Sequence, residues 1–227
     1  MEEEKAPLLL TIAVLGGTGR EGKGLAYRWA KAGYKVLIGS RSSERAVTTA
    51  SEIMELLEGS SSLVGASNLE AAQAAEIVVL TVPYAAHRET LESVKDVVKG
   101  KLLIDVTVPL VPPTVSKVQM PAAGSAAQEA KEILGDDVRV VAAFQNISHE
   151  LLLTDEDIEC DVLVTGVNKD ARTEALMLVE AAGLTGWDAG PIENSVVVEG
   201  LASVLININK QHGSKHAGIK ITGVEKK

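Results

Sequence analysis

Aromatic residues and cysteine are scarce in this sequence of 227 residues, and each scarcity excludes something. Aromatic residues make up 3% of the chain, with a single phenylalanine, so the core has to be built mainly from Val, Ile, Leu and Ala. A core of this kind suits a buried parallel sheet that is covered by helices. The one cysteine, Cys160, excludes an internal disulfide and a cysteine zinc cluster, and no pattern of residues predicts a metal site.

Positive charge and long apolar runs are also in short supply. The 22 basic residues face 31 acidic ones, for a formal net charge of −9, whereas nucleic-acid-binding proteins are usually basic. No apolar run approaches the roughly 18 residues that a membrane span needs. The acidic start of the chain also lacks the pattern of a signal peptide. We therefore expect a cytoplasmic protein that binds neither nucleic acid nor a membrane.

Apolar runs alternate regularly with helical patterns over the first 145 residues. The predicted strands cover residues 8–15, 35–39, 63–64, 77–82, 102–106 and 138–142. The predicted helices cover residues 20–32, 44–57, 69–75, 87–98 and 126–134. Strands that alternate with helices indicate right-handed parallel crossovers. The sequence thus predicts an α/β fold with a doubly wound parallel sheet.

The regular alternation changes in two places. Prolines in residues 109–121 exclude a helix or a central strand there and predict a loop or lid at the carboxyl end of a strand. Beyond residue 145 the pattern predicts a strand at 162–165 and helices at 171–182 and 193–209. We therefore divide the chain into a dinucleotide-binding domain, residues 1–145, and a small C-terminal α/β domain, residues 146–227.

A glycine-rich segment joins the first predicted strand to the first predicted helix. Its spacing fits the pattern G-x-G-x-x-G, in which the glycines permit a tight turn, close approach of a pyrophosphate and close packing of helix on strand. The helix N-terminus adds free N–H groups and the positive end of its dipole. This context predicts a Rossmann-type dinucleotide site that includes Gly17, Thr18, Gly19, Arg20, Glu21 and Gly22.

The end of the second predicted strand indicates which dinucleotide binds. NAD-specific sites place a carboxylate there to hold the ribose 2′-hydroxyl, but this chain has Ser40 and Arg41, with Arg45 one turn into the following helix. These side chains can donate to a 2′-phosphate, and each charge-assisted hydrogen bond contributes about 1.5–3 kcal/mol. The sequence therefore favours NADP over NAD. An ordinary helix start capped by a serine is compatible with the same residues.

Short motifs along nearly the whole chain resemble those of the NADPH-dependent coenzyme F420 reductases, the F420:NADP oxidoreductases. The matching segments include the C-terminal motifs, which general dinucleotide-binding proteins do not share. These segments are residues 16–19, 22–24, 39–41, 80–83, 188–191, 206–209 and 218–220.

The resemblance implies that the chain binds NADP and coenzyme F420 and passes a hydride between nicotinamide C4 and deazaflavin C5. It also implies a homodimer, with residues 146–227 closing the deazaflavin cleft. Both reacting groups are organic cofactors, so the protein's task is to hold two rings face to face and exclude water. No catalytic side chain is assigned.

The resemblance also places residues in the two halves of the cleft. The nicotinamide side is implied to contain Thr81, Val82, Pro83, Val108 and Pro109, and the deazaflavin loop Gln145, Asn146 and Ile147. The family pattern has histidine where this chain has Gln145, whose amide can still donate to a ring carbonyl.

Two questions stay open at the level of sequence. The basic residues of segment 210–220 can receive the phosphate and polyglutamate tail of coenzyme F420, or they form a solvated tail. A different activity is also compatible with an NADP site. The alternatives are an NADPH-dependent flavin or ferric reductase, and a sensor that binds NADP without catalysis.

Overall fold

Eight strands form one sheet in the computed structural model, which describes residues 10–59, 61–154 and 156–225. The strands are β1 (Ile12–Leu15), β2 (Val36–Ser40), β3 (Leu63–Ser67), β4 (Ile77–Leu80), β5 (Leu102–Asp105), β6 (Arg139–Ala142), β7 (Asp161–Gly166) and β8 (Thr185–Pro191). Their order is β3-β2-β1-β4-β5-β6-β7-β8. All neighbouring strands pair in parallel except β6 and β7, which are antiparallel.

The helices connect these strands. They are α1 (Arg20–Lys31), α2 (Ser43–Leu56), α3 (Asn68–Ala74), α4 (Tyr84–Val94), α5 (Ala126–Leu134), α6 (His149–Leu152), α7 (Lys169–Ala181) and α8 (Ser195–His212). A 3-10 turn, Ile192–Asn194, precedes α8. Across the described residues, no helix combines the length and the apolar character that crossing a membrane requires.

The central strands are buried on both faces, and alternate residues contribute to two separate cores. In β1, Ile12 and Val14 pack with α1 and α2, while Ala13 and Leu15 pack with α3 and α4. Strand side chains alternate between the two faces of a sheet, so each face receives its own layer of helices. The predicted doubly wound α/β fold is confirmed.

The register of the sheet brings the carboxyl ends of the parallel strands to one edge. Leu15 at the end of β1 pairs with Gly39 in β2 and with Leu80 at the end of β4. The chain leaves β1 and β4 toward opposite faces, and a cleft opens between two such strands. The segments after β1, β2, β4, β5 and β6 therefore surround one edge of the sheet.

The structure differs from the sequence prediction after residue 145. Strands β7 and β8 extend the same sheet, and one core contains residues from both sides of that position. Strand β8 and the one-turn helix α6 were not predicted. The β8 segment has two glycines and a proline and lacks apolar alternation, because it lies at the edge of the sheet. The first predicted strand begins at residue 8, and residues 8 and 9 lie outside the described residues. The division of the chain into two domains stays a prediction.

Candidate functional site

A cavity of about 390 Å³ opens where β1, β2 and β4 end. It brings together eight of the residues predicted to bind the dinucleotide, from three separate segments of the chain. These residues are Thr18, Gly19, Ser40, Arg41, Arg45, Thr81, Val82 and Pro83. Gly16, Ser42, Asn68, Ala86 and Thr90 line it as well. Its volume lies within the range of small-molecule sites, about 300–1,000 Å³. We call it the dinucleotide cavity.

Each glycine of the loop is needed for a different structural reason. Gly16, outside the predicted set, has the positive φ of +76° at the turn that leaves β1. A Cβ on Gly17 would lie 2.8 Å from the Val14 carbonyl oxygen. A Cβ on Gly22 would collide with Thr81 Oγ1 and lie 2.8 Å from Gly17 Cα. Gly17 and Gly22 therefore lie beneath the cavity and allow α1 to pack closely on the sheet.

Gly19 faces open space and is the N-cap of α1. A Cβ there would approach one atom, the Gly16 carbonyl oxygen at 3.2 Å, so a larger side chain would extend into the cavity. Gly19 has no side chain with which to cap α1. The first-turn N–H groups of a 12-residue helix are thus left for another partner, and an anion suits them.

Two arginines border the dinucleotide cavity at the end of β2. Arg41 and Arg45 are exposed, and neither forms an ion pair within the described part of the chain. The Ser42 hydroxyl accepts from the Arg45 backbone N–H at 3.3 Å and caps α2, as the sequence allowed. The capping serine and the two free guanidinium groups occur together. The part of the dinucleotide cavity at the end of β2 can therefore bind a second anion.

A second cavity, of about 450 Å³, lies between the first turn of α1, the loop after β6 and the inner face of α8. We call it the second cavity. Its lining includes five predicted residues, namely Glu21, Val108, Gln145, Asn146 and Ile147. Pro109 lies between two lining residues, Val108 and Leu110. The remaining lining residues are Ser148, His149, Glu150, Ala202, Leu205, Ile206, Asn209, Lys210, Ser214, Lys215 and Ala217.

The loop after β6 is held by a strained residue and by two amides. Phe144 is fully buried and has a φ of +73°, and the ring of Trp29 packs edge-on against it at 5.8 Å. A non-glycine residue in this conformation persists only where the surroundings fix it. The side-chain amide of Gln145 donates to the Asp105 carbonyl at 2.8 Å, and that of Asn146 donates to the Asp161 carbonyl at 2.7 Å.

Unpartnered polar atoms concentrate in the second cavity. Among the described residues, six buried side-chain polar atoms lack a hydrogen-bond partner. Four of them belong to residues that line this cavity, namely Glu21 Oε1, Gln145 Oε1, Asn146 Oδ1 and His149 Nε2. Buried polar atoms normally have partners, so this concentration indicates a polar ligand. Gln145 and Asn146 offer free oxygens, because their amide nitrogens already donate to the backbone.

Burial sets the protonation of two of these groups. Burial raises the pKa of Glu21 to about 8, so its carboxyl is largely protonated at neutral pH. The pKa of His149 is lowered, by burial first and then by the positive charge of Arg20. The second cavity therefore combines a neutral imidazole and two amide oxygens with a carboxyl group that can donate.

A third cavity, of about 390 Å³, lies between the dinucleotide cavity and the second cavity. It shares Thr18 and Gly19 with the dinucleotide cavity, and His149 and Glu150 with the second cavity. Arg20, the remaining predicted residue of the loop, lines it. Ligands in the two main cavities would therefore lie next to each other across the start of α1.

Some site residues could not be predicted from a motif. The side-chain oxygen of Asn68, at the start of α3, accepts from the Gly16 backbone N–H at 3.3 Å. His87 in α4, which lines none of these cavities, also makes a contact that no motif indicates. It is buried, and its Nε2 lies 2.7 Å from Asp105 Oδ2. Seventeen residues of helix, loop and strand separate it from Asp105, so sequence spacing gave no signal.

Comparisons with known proteins cover the chain to different extents: a family model matches its first half, and related sequences and a solved structure match nearly all of it. The family model described as "NADP oxidoreductase coenzyme F420-dependent" matches residues 11–109. F420-dependent NADP reductase from Methanothermobacter marburgensis is 44% identical over 95% of this chain and 99% of its own length. The protein of the same name from Methanothermobacter thermautotrophicus is 41% identical over 96% of this chain and 97% of its own length. A crystal structure from Arthrobacter sp. FB24, of a candidate F420-dependent NADP reductase, is 25% identical with a TM-score of 0.78. That match covers 94% of this chain and 99% of the other.

Proposed function

The chain belongs to the coenzyme F420-dependent NADP oxidoreductases, and on that premise we propose how its two cavities serve hydride transfer between NADP(H) and coenzyme F420. The reaction converts NADPH, a proton and oxidised F420 into NADP⁺ and reduced F420, and it runs in either direction. The chain is an enzyme, an oxidoreductase with NADP and the deazaflavin F420 as its two substrates.

The adjacency of the two main cavities is the observation that carries the assignment of sites. NADPH would occupy the dinucleotide cavity, with its pyrophosphate at the N-terminus of α1 and its 2′-phosphate near Arg41 and Arg45. Thr81, Val82 and Pro83 would border the nicotinamide end. Gly19 supports this placement, because its missing side chain leaves room next to the free N–H groups.

The deazaflavin ring would occupy the second cavity. The uracil-like edge of that ring carries one N–H donor and several acceptors. The free oxygens of Gln145 and Asn146 suit the donor, and the protonated Glu21 carboxyl suits an acceptor. The sequence suggested that Gln145 donates to a ring carbonyl. One of its amide hydrogens donates to the Asp105 carbonyl, which leaves the second hydrogen for that role and the Oε1 atom as a free acceptor.

The charged part of the second cavity fits the tail of the coenzyme. Lys210 and Lys215 both line this cavity, and the Lys215 ammonium lies 3.1 Å from the Glu150 carboxylate. An anionic tail can compete with Glu150 for Lys215 and can bind Lys210 as well. We therefore propose that segment 210–220 receives the phosphate and glutamates of coenzyme F420. Residues 146–227 would act as the part that closes this cleft.

We also propose that the protein is a homodimer, and the surface of α8 supports this. Val197 and Val204 on this helix are 63% and 46% exposed, and Val118 of the proline-rich segment, 43% exposed, lies beside Gly200 of the same helix. A contiguous apolar surface of this kind suits a second copy of the chain. Light scattering on the purified protein should give twice the mass of one chain. A cytoplasmic location is also part of the proposal.

A spectroscopic assay tests the function. Purified protein should bleach oxidised coenzyme F420 rapidly when NADPH is supplied, and much more slowly with NADH. FMN, FAD and a ferric chelate serve as parallel acceptors. Reduction of a flavin or of ferric ion in place of F420 would assign the chain to the alternative reductases. Tight NADPH binding with no reduction of any acceptor would assign it to the sensors.

A further inference from the structure

Glu21 differs from the other unpartnered groups of the second cavity because it alone can hold a transferable proton at neutral pH. The amide oxygens of Gln145 and Asn146 only accept hydrogen bonds. His149 is neutral there, since burial and the charge of Arg20 lower its pKa. The Oε1 atom of Glu21 is buried and has no hydrogen-bond partner among the described residues, although it borders a cavity of about 450 Å³.

The charges around Glu21 come from three segments. Arg20 and Lys23 lie on its own helix, His149 and Glu150 on α6, and Lys210 and Lys215 lie at and beyond the end of α8. None of them forms a hydrogen bond or ion pair with Glu21 in the described part of the chain, and burial is the cause of its raised pKa. A pyrophosphate bound at the same helix N-terminus would add negative charge and would further favour the protonated carboxyl.

This inference rests on the proposed function, because reduction of the deazaflavin consumes a proton as well as a hydride. We propose that the Glu21 carboxyl supplies that proton during F420 reduction and takes it back when reduced F420 is oxidised. Glu21 is then a catalytic acid and base, a role beyond the cofactor contact that the sequence indicated.

The step balances in atoms and electrons. The nicotinamide C4–H bond breaks with its electron pair and a C–H bond forms at deazaflavin C5. The Glu21 O–H bond breaks and an N–H bond forms at the ring nitrogen N1, which gains the electron density. NADPH is oxidised, F420 is reduced, and the resulting carboxylate regains its proton from water through the open side of the cavity.

The two directions of the reaction should depend on pH in opposite ways. F420 reduction needs the protonated carboxyl, so its rate should fall as the pH rises through the Glu21 pKa of about 8. Oxidation of reduced F420 by NADP⁺ needs the carboxylate, so its rate should rise over the same range. A group that only packs against the ring would not produce this reversal.

The first test measures protonation in the ligand-free protein. Carbon-13 NMR of the glutamate carboxyl groups should show two that titrate near pH 8, because burial raises the pKa of Glu199 to a similar value. Glu21→Gln should remove one of these titrations and keep the other. Glu55→Gln, on the exposed face of α2, is the matched control and should keep both.

The second test measures initial rates of the holoenzyme from about pH 6 to about pH 10 in both directions. Glu21→Gln keeps the size and a donating N–H but cannot transfer a proton. We expect it to lower kcat about 10²-fold or more, to remove both pH dependences and to leave the Kd for NADPH within about twofold. Glu55→Gln should behave like the wild-type protein.

The outcomes separate the two proposals. A wild-type kcat and wild-type pH profiles for Glu21→Gln would overturn the role of Glu21 and leave hydride transfer to F420 intact. A Glu21→Gln protein that keeps both NMR titrations near pH 8 would also overturn it. A wild-type protein that does not reduce F420 with NADPH would overturn the proposed function, while the NMR titration still reports whether the cavity holds a protonated carboxyl.

Discussion

Arg28 and Leu152 connect the glycine-loop helix to the wall of the second cavity. The Arg28 Nε donates to the Leu152 carbonyl oxygen at 2.8 Å, and Nη2 donates to the carbonyls of Leu151 at 3.0 Å and Thr154 at 2.7 Å. On the preceding turn, a Cβ on Gly24 would lie 2.5 Å from Leu152 Cβ. Helix α1 therefore has the proposed anion-binding turn at its start and holds α6 in place farther along.

Replacing Arg28 should destabilise the protein and disturb the second cavity more than the first. Arg28→Ala removes a donor from three carbonyl groups at and just beyond the end of α6. The Leu151 carbonyl keeps the backbone N–H and the hydroxyl of Thr154 as donors, so we expect the free energy of unfolding to fall by about 2 kcal/mol. The KM for F420 should rise more than the Kd for NADPH. Urea unfolding and steady-state kinetics measure both, and Arg28→Lys, which retains a donor, should lose less. Wild-type stability for Arg28→Ala would contradict the argument.

Arg41 should determine the preference for NADPH over NADH. Arg41→Asp replaces a donor for the 2′-phosphate with a carboxylate, so the Kd for NADPH should rise tenfold or more, as expected for the loss of about 1.5–3 kcal/mol. The Kd for NADH should change much less, because NADH carries no 2′-phosphate. Fluorescence titration measures both constants. Lys35→Asp, an equal charge change at the opposite end of β2, is the control, and equal losses for the two cofactors would refute the role of Arg41.

Gly19 and Gly22 should respond differently to the same substitution. Gly19→Val should abolish dinucleotide binding with little change in stability, because the side chain extends into the cavity. Gly22→Val should destabilise the fold, since its Cβ collides with Thr81 Oγ1 and the backbone of Gly17. Cofactor titration together with thermal unfolding separates the two effects. Retained affinity for NADPH in Gly19→Val would show that the pyrophosphate binds elsewhere.

Glu199 should make the stability depend on pH. This fully buried side chain accepts from the backbone N–H groups of Ala126 at 2.7 Å and Ala127 at 3.1 Å, at the start of α5. Burial, assisted by Asp105, raises its pKa to about 8, against the opposing effect of the two backbone donors. The folded state then holds the proton more tightly than the unfolded state, so its stabilising contribution is complete below about pH 4.5 and is lost as the pH rises through about 8.

A comparison with Glu199→Gln isolates that contribution. The wild-type protein should lose stability relative to Glu199→Gln between about pH 4.5 and about pH 8, by at most about 1.4 kcal/mol for each pH unit. Urea unfolding at several pH values gives the difference. A difference that stays constant over this range would show that Glu199 keeps its ordinary pKa. At every pH, Glu199→Leu should be the least stable variant, because both backbone donors lose their acceptor.

Several features of the site follow from local sequence. The strand before Gly16 and the helix after Gly19 are each encoded by their own periodicity, so the dinucleotide loop could be placed without tertiary information. Arg41 and Arg45 could be predicted as cofactor contacts because they lie within five residues of the end of β2. The loop from Gln145 was indicated by its resemblance to the family, since no chemical pattern in that segment identifies a ligand.

Other features have no signal in the sequence. Strand β8 is formed by a segment that pairs only with β7, at the edge of the sheet, and its composition gives it no apolar alternation. Glu21 reads as an ordinary acidic residue in the first turn of a helix, where its charge would be favourable. The loop after β6 and helix α8, which line the same cavity as Glu21, come from 120 or more positions away.

The sequence by itself determined the doubly wound sheet, the position of the glycine loop and the choice of NADP, because each depends on residues within about twenty positions of one another. Tertiary structure decided what surrounds the second cavity. The assembled fold places Glu21, Gln145 and α8 around one cavity, and burial raises the pKa of the Glu21 carboxyl. Burial is a property of the assembled fold, so the residue type alone could not determine it.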